Sequence, residues 1–285
     1  MTPWVSTAAR SPPGGPPARS SIGRVPNRPP RLLAIAGSDS GGGAGIQADL
    51  KAFARCGCHG MTAITAITAQ NTVEVAAVHP VPGDIIVEQV RVLAEDIGVD
   101  AVKIGMLGDV ATIEAVLRAL DLLGDVPVVI DPVMVAESGA RLLDEGAIQA
   151  LRSELVPRAA AITPNLAEAR VLAGVGEGLS DEELVRALHG LGPGAVVITG
   201  GHREEPSDLF FDGSELEVIT GEHHPSGAAH GSGCTHSSAV AAGLARGLGT
   251  LDAARRAKAI AAEAVRDGLR EIGSGSGPVN VLGIG

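Results

Sequence analysis

"RLLAIAGSDSGGGAGIQADLKAF" (31–53) decides the fold. It opens with an apolar run, Arg31–Ala36, closed by Gly37, the pattern of a short buried strand. It ends in a segment that places Ile46, Leu50 and Phe53 on one helical face. Between them, Gly41, Gly42, Gly43 and Gly45 crowd a single βα turn. A tight turn with Ser38, Asp39 and Ser40 bonding locally is one reading. Close approach of backbone to a ligand at the carboxyl end of a strand is the other, and four glycines in five positions favour it.

The same alternation runs down the chain. Strand-like runs are "MTAITAI" (61–67), "AVKIG" (101–105), "VPVVIDP" (126–132), "AAAIT" (159–163) and "AVVIT" (195–199). Helical periodicity marks residues 84–98, 110–124, 146–156, 165–174, 180–192, a segment from about Gly233, and 250–272. Near-continuous apolar strands separated by helices predict an α/β fold, a mostly parallel sheet covered on both faces, in one domain over 31–285. Residues 207–220 read as a hairpin turning on Asp212-Gly213. Residues 1–30 stand apart: they are rich in proline and arginine, lack acidic residues, and read as a disordered tail.

Composition narrows the function. A net charge of −11 argues against a nucleic-acid binder, and stacking platforms are scarce, with no Tyr and only Phe53, Phe210, Phe211 and Trp4. No apolar run approaches the roughly 18 residues that span a bilayer. Three cysteines and no secretory leader suit a reducing cytoplasm. Lysine is confined to Lys51, Lys103 and Lys258.

Nucleotide signatures fail individually. No Gly-Lys pair exists, which excludes a Walker A loop, and Ile46 occupies the last glycine position of G-x-G-x-x-G. Asp131 in "VVIDPVM" (128–134) closes a strand; it suits either an Asp-Pro turn or a Mg²⁺ ligand. Asn165 and Glu168 have capping-box spacing, as do Ser180 and Glu183. Cys56 and Cys58 match no zinc spacing, and His230, Cys234 and His236 would point to different faces of a helix. In "HGSGCT" (230–235), Gly231-Ser232-Gly233 leaves backbone N–H groups free at a helix start, an anion site. Cys234 sits there either as a small buried hydrophobe or as a thiol whose pKa the helix field lowers.

Taken in order, "AIAGSDSGGGAGIQADLKAF", "TAITAQNT", "KIGML", "DPVMV", "TPNLAEA", "GGH" and "HGSGCT" resemble the hydroxymethylpyrimidine/phosphomethylpyrimidine kinases of thiamine biosynthesis, in the ribokinase-like superfamily. The resemblance covers 31–285. It implies a homodimer that transfers the γ-phosphoryl of ATP to a pyrimidine hydroxymethyl group and then to the monophosphate. It implies a pyrimidine pocket at Gly37, Asp49, Gln70, Met106, Val133 and Cys234, and a site for Mg²⁺ and nucleotide phosphates at Asp131 and Glu168. Gly231, Ser232 and Gly233 become the anion hole, with Cys234 the base that takes the hydroxyl proton. Thr199 and Glu137 stand where relatives often carry lysine, so a cationic contact to the nucleotide is expected to be missing. Pyridoxal/pyridoxine/pyridoxamine kinase is the alternative activity, and a non-catalytic pyrimidine sensor a lesser one.

Overall fold

A computed structural model describes residues 28–285 except 177, 201–205, 223 and 225–227. The expected tail therefore lies, up to residue 27, outside the described residues. The main sheet contains β1 (Arg31–Ala36), β2 (His59–Ile64), β5 (Ala101–Ile104), β6 (Val128–Ile130), β7 (Ala161–Ile162), β8 (Val196–Ile198), β9 (Asp208–Phe211) and β10 (Leu216–Ile219). Their order is β10-β9-β8-β7-β6-β5-β1-β2. Pairing is parallel from β2 through to β8, and β9 and β10 add an antiparallel edge. This is the mostly parallel single-domain architecture that the alternating runs predict.

Alternate strand residues feed two cores, which is why the strands read as unbroken apolar runs. Leu33, Ile35, Val102, Ile104 and Ile130 pack against α2 (Gly83–Asp96), α3 (Val110–Leu120), α5 (Leu166–Ala173) and α6 (Asp181–His189). Leu32, Ala34, Ala101, Val129 and Val197 face α1 (Gly45–Arg55), α7 (Ser232–Ala245) and α8 (Thr250–Arg266). The second core is built from small residues. Ala239, Ala241 and Ala242 let α7 lie close across β1, β5 and β6, and a Cβ at Gly243 would sit 2.8 Å from that of Ala253. Both predicted capping boxes form, Asn165 with Glu168 and Ser180 with Glu183.

Three elements depart from the sequence reading. "MTAITAI" divides at Thr65: β2 stays in the main sheet, while β3 (Ala66–Gln70) leaves it to pair with β4 (Val75–Pro80). Thr65 is pinned at that corner by Ala36 O, Met106 O and Val81 N. β4 is exposed along nearly its whole length, so no hydrophobic alternation announces it. The helix expected over 146–156 is α4 (Glu145–Ala150) followed by a π-helical turn, Leu151–Leu155, and a 3₁₀ turn ending it. Pro157 lies in that last turn and has no N–H to continue an α ladder. The last helix stops at Arg266, not 272, and Gly268 beyond it lies against Ala228, where a Cβ would be 2.7 Å from the Ala228 Cβ.

Candidate active site

The carboxyl ends of β1, β5, β6 and β8 open onto a cavity of about 410 Å³. Two glycine-rich segments build its floor. Gly231 caps α7 with φ +86°, and a Cβ there would overlap the Gly43 carbonyl. Gly45, with φ +55°, passes so close to Gly37 that a Cβ would lie 2.5 Å from its carbonyl oxygen. The glycines of residues 41–45 thus let backbone meet backbone across the floor. Asp39 locks the loop: Oδ1 accepts from Gly41 N (2.8 Å) and Oδ2 from Gly43 N (3.0 Å) and Ala44 N (2.8 Å). His230 Nε2 lies 2.9 Å from the same Oδ2, joining the loop to the start of α7. Burial acts to raise the Asp39 pKa, but His230 and the Ala44 and Gly41 amides outweigh it and hold the carboxylate below its usual range.

Most residues singled out in the sequence converge here. Gly37, Gln70, Met106 and Val133 line the cavity, as do Asp131 and Glu168 and the stretch Gly231–Cys234. In the first turn of α7 the Ser232 amide donates to Ala229 O, whereas the Gly233 and Cys234 amides make no backbone hydrogen bond among the described residues. Those two are the free donors of the helix start. Asp49 is placed elsewhere. It is fully buried behind the wall, 2.8 Å from Lys103 Nζ and accepting from Ser238 Oγ at 2.8 Å. Of the "GGH" stretch, Gly201 and His202 lie outside the described residues.

Two expectations need correction. The helix start does not lower the Cys234 pKa. Burial, the largest influence, raises it, Lys103 pulls it down, and the charges of Asp49 and Asp131 push it up again, to about 12. Nor is the site without lysine: Lys103 and Lys258 both line the cavity. Lys103 is wholly enclosed, its Nζ 3.9 Å from Asp131 Oδ2. Burial works against its charge, but Asp49, Cys234 and Asp131 prevail and keep it an ammonium. The sequence signal for Lys103 is a charged residue inside an otherwise apolar strand, "AVKIG", which requires a buried counter-charge.

Asp131 and Glu168 form the acidic side. Burial raises the Asp131 pKa against the opposing influence of Lys103, Ser237 and His236. Burial, then the charge of Asp131, raises Glu168 to about 7, while the Asn165 and Met134 amides oppose. Glu168 completes the capping box through Oε2 (Asn165 N, 3.0 Å) and meets Met134 N through Oε1 (3.3 Å), which leaves lone pairs on both oxygens. Two carboxylates that hinder each other's ionisation on a cavity wall fit Mg²⁺, an ion held by one or two carboxylates with substrate phosphates completing its shell. Across the cavity, Asp208 is drawn to about 2; burial opposes this, and His236 and Lys258 bring it about.

Known proteins are similar to this chain in sequence and fold. A family model described as phosphomethylpyrimidine kinase matches residues 39–280. The hydroxymethylpyrimidine/phosphomethylpyrimidine kinase of Rhizobium meliloti is 46% identical over 254 residues, 87% of this chain and 95% of that protein. The one from Mycobacterium tuberculosis is 43% identical over 262 residues, 89% of this chain and 94% of that protein. Among solved structures, the pyridoxal kinase of Staphylococcus aureus in complex with ADP superimposes with a TM-score of 0.82 at 34% identity, covering 90% of this chain and 94% of that one. A family match over most of the chain and a cavity walled by the same motifs lead to one conclusion: the chain belongs to the phosphomethylpyrimidine kinase family, on a ribokinase-like fold.

Proposed function

We propose that this protein uses ATP to phosphorylate 4-amino-5-hydroxymethyl-2-methylpyrimidine, and then the monophosphate, as its relatives' names indicate. The observation that carries the reading is the convergence of Cys234, the free Gly233 and Cys234 amides, Lys103 and the Asp131–Glu168 pair in one cavity beside Gln70 and Met106. Gln70 offers the donor and acceptor that an aminopyrimidine edge needs, and Met106 and Val133 pack on the ring. The substrate hydroxyl oxygen attacks the γ-phosphorus, the bond from that phosphorus to the ADP oxygen breaks, and the hydroxyl proton passes to Cys234 Sγ. The Gly233 and Cys234 amides receive the charge on the transferring oxygens.

A thiol at about 12 is a poor resting base at neutral pH. The neighbouring charges supply a route. Asp131 is one of the groups that hold the proton on Cys234, and Lys103 is the one that opposes it. Asp131 and Glu168 would hold Mg²⁺, whose charge would offset that of Asp131, so that Lys103 would be the stronger influence and favour the thiolate. When bound there, Mg²⁺ would also supply neutralisation of phosphate charge.

Incubation of the protein with ATP, Mg²⁺ and the hydroxymethylpyrimidine should yield mono- and then diphosphate by mass spectrometry; absence of both overturns the reading. The likeness to a pyridoxal kinase structure favours one second activity, phosphorylation of pyridoxal. A kcat/KM for pyridoxal tenfold or more above that for the pyrimidine would reverse the assignment.

We also infer a homodimer working in the cytoplasm. The exposed β3–β4 sheet, with Ile67 at 55% exposure, offers an apolar surface. Light scattering should give twice the chain mass, and Ile67→Asp should reduce it; a monomeric wild-type chain overturns the assignment. Among the described residues no helix is long and apolar enough to cross a membrane.

A further inference from the structure

Three of the 22 cationic side chains are lysine, and the fold gathers all three around one site. Lys51 Nζ donates to Gly42 O in the glycine loop (2.7 Å), Lys103 lies beneath Cys234, and Lys258 lines the opposite wall. No arginine lines the cavity among the described residues. An arginine fork is too broad for a narrow channel, whereas an ammonium on an aliphatic stem is compact. Lys258 runs through such a channel: a Cβ at Gly221 would sit 2.6 Å from its Cε.

The ammonium ends 2.6 Å from Asp208 Oδ1. Asp208 has further neighbours. The Gly200 N–H donates to the same oxygen at 3.1 Å, and His236 Nε2 lies 3.2 Å from Oδ2. Lys258 has three N–H donors and, among the described residues, one acceptor. Around it the wall carries Thr199, Pro206 and the acidic Glu222. A ligand entering the β8–β9 side of the cavity therefore meets one cation with donors to spare, at the end opposite Met106, which follows β5.

We propose that Lys258 is the cationic contact for the polyphosphate of the nucleotide, with Asp208 and His236 as the positioning residues that aim it. The charge that Thr199 lacks is supplied from α8. This rests on the phosphoryl-transfer reading above and adds a phosphate-recognition residue to it.

The test compares ADP with adenosine, which lacks the phosphates, by calorimetry on the full chain. Lys258→Met should weaken ADP binding about tenfold or more, the weight of one charge-assisted hydrogen bond. Adenosine affinity and KM for the pyrimidine should stay near wild type while KM for ATP rises. The unfolding midpoint is expected to fall, because the buried Asp208 loses its ammonium, and the adenosine control separates that loss from the loss of a phosphate contact. Adding Thr199→Lys to Lys258→Met returns an ammonium beside Gly200 and Asp208 and should recover ADP affinity. Unchanged ADP affinity, or an equal loss for adenosine, overturns the proposal. If Lys258→Met does not fold, Lys258→Gln keeps a donor for Asp208 without the charge and gives the same comparison. Wild-type turnover with unchanged ADP binding in the variant sinks this inference alone. Failure of wild type to phosphorylate the pyrimidine, with ADP binding still lost in the variant, sinks the substrate assignment alone.

Discussion

Cys234→Ala is expected to lower kcat by about 10²–10⁴-fold, the usual weight of a positioned general base, with little change in ADP affinity. The methyl group removes the proton acceptor but keeps the backbone amide that faces the transferring oxygens. It also removes a group that burial holds protonated at about 12. In wild type the base form of the thiol grows as pH rises, so kcat should climb with pH until the thiol of the loaded site is ionised, and the climb should vanish in the variant. A kcat within tenfold of wild type would move the proton to another acceptor, and Asp131 is the adjacent carboxylate.

Lys103→Met should cost about 3–5 kcal/mol of folding stability, because it strands a buried carboxylate. Asp49 and Lys103 are both fully enclosed, 2.8 Å apart. Once the ammonium is gone, Asp49 keeps the Ser238 hydroxyl as a donor but no counter-charge. Replacing both partners, as Asp49→Leu with Lys103→Met, should restore most of the loss, since an apolar pair of similar volume needs no compensation. Urea denaturation of the two single variants and the double variant measures this. A loss below about 1 kcal/mol in Lys103→Met would mean that Asp49 is neutral in the native protein and that the pair contributes little.

The sheet was legible because β1, β5, β6, β7 and β8 are buried on both faces, and an apolar run next to an amphipathic one has few other solutions. The β3–β4 pair was not, since exposed residues leave no pattern to read. For the site, motif order brought out the residues that stand on loops and helix starts, Asp131, Glu168 and Cys234 among them. It gave no account of what stands behind them. Asp49 was assigned to the ligand through the family resemblance, and in the structure its side chain turns inward to Lys103. Lys258 escaped notice because its helix is otherwise a run of Ala and Arg with a solvated face, and its role depends on Gly200, Asp208 and His236 arriving from three other elements. The rise in the Cys234 pKa has the same origin. A helix start alone lowers a thiol, but burial under the rest of the fold, joined by the charges of Asp49 and Asp131, outweighs it.

The contact between the two glycine segments also constrains how the molecule is made. The His230–Asp39 bond closes a span of 191 residues, and Ser238–Asp49 one of 189. Contacts at such separation form late, after the chain entropy of a long loop has been overcome. A nascent chain emerging from the ribosome carries the glycine loop, Asp131 and Lys103 long before the residues that complete the floor. Phosphoryl transfer therefore switches on only when synthesis has passed α7, and turnover in a translation time course should report completed folding and not secondary-structure content.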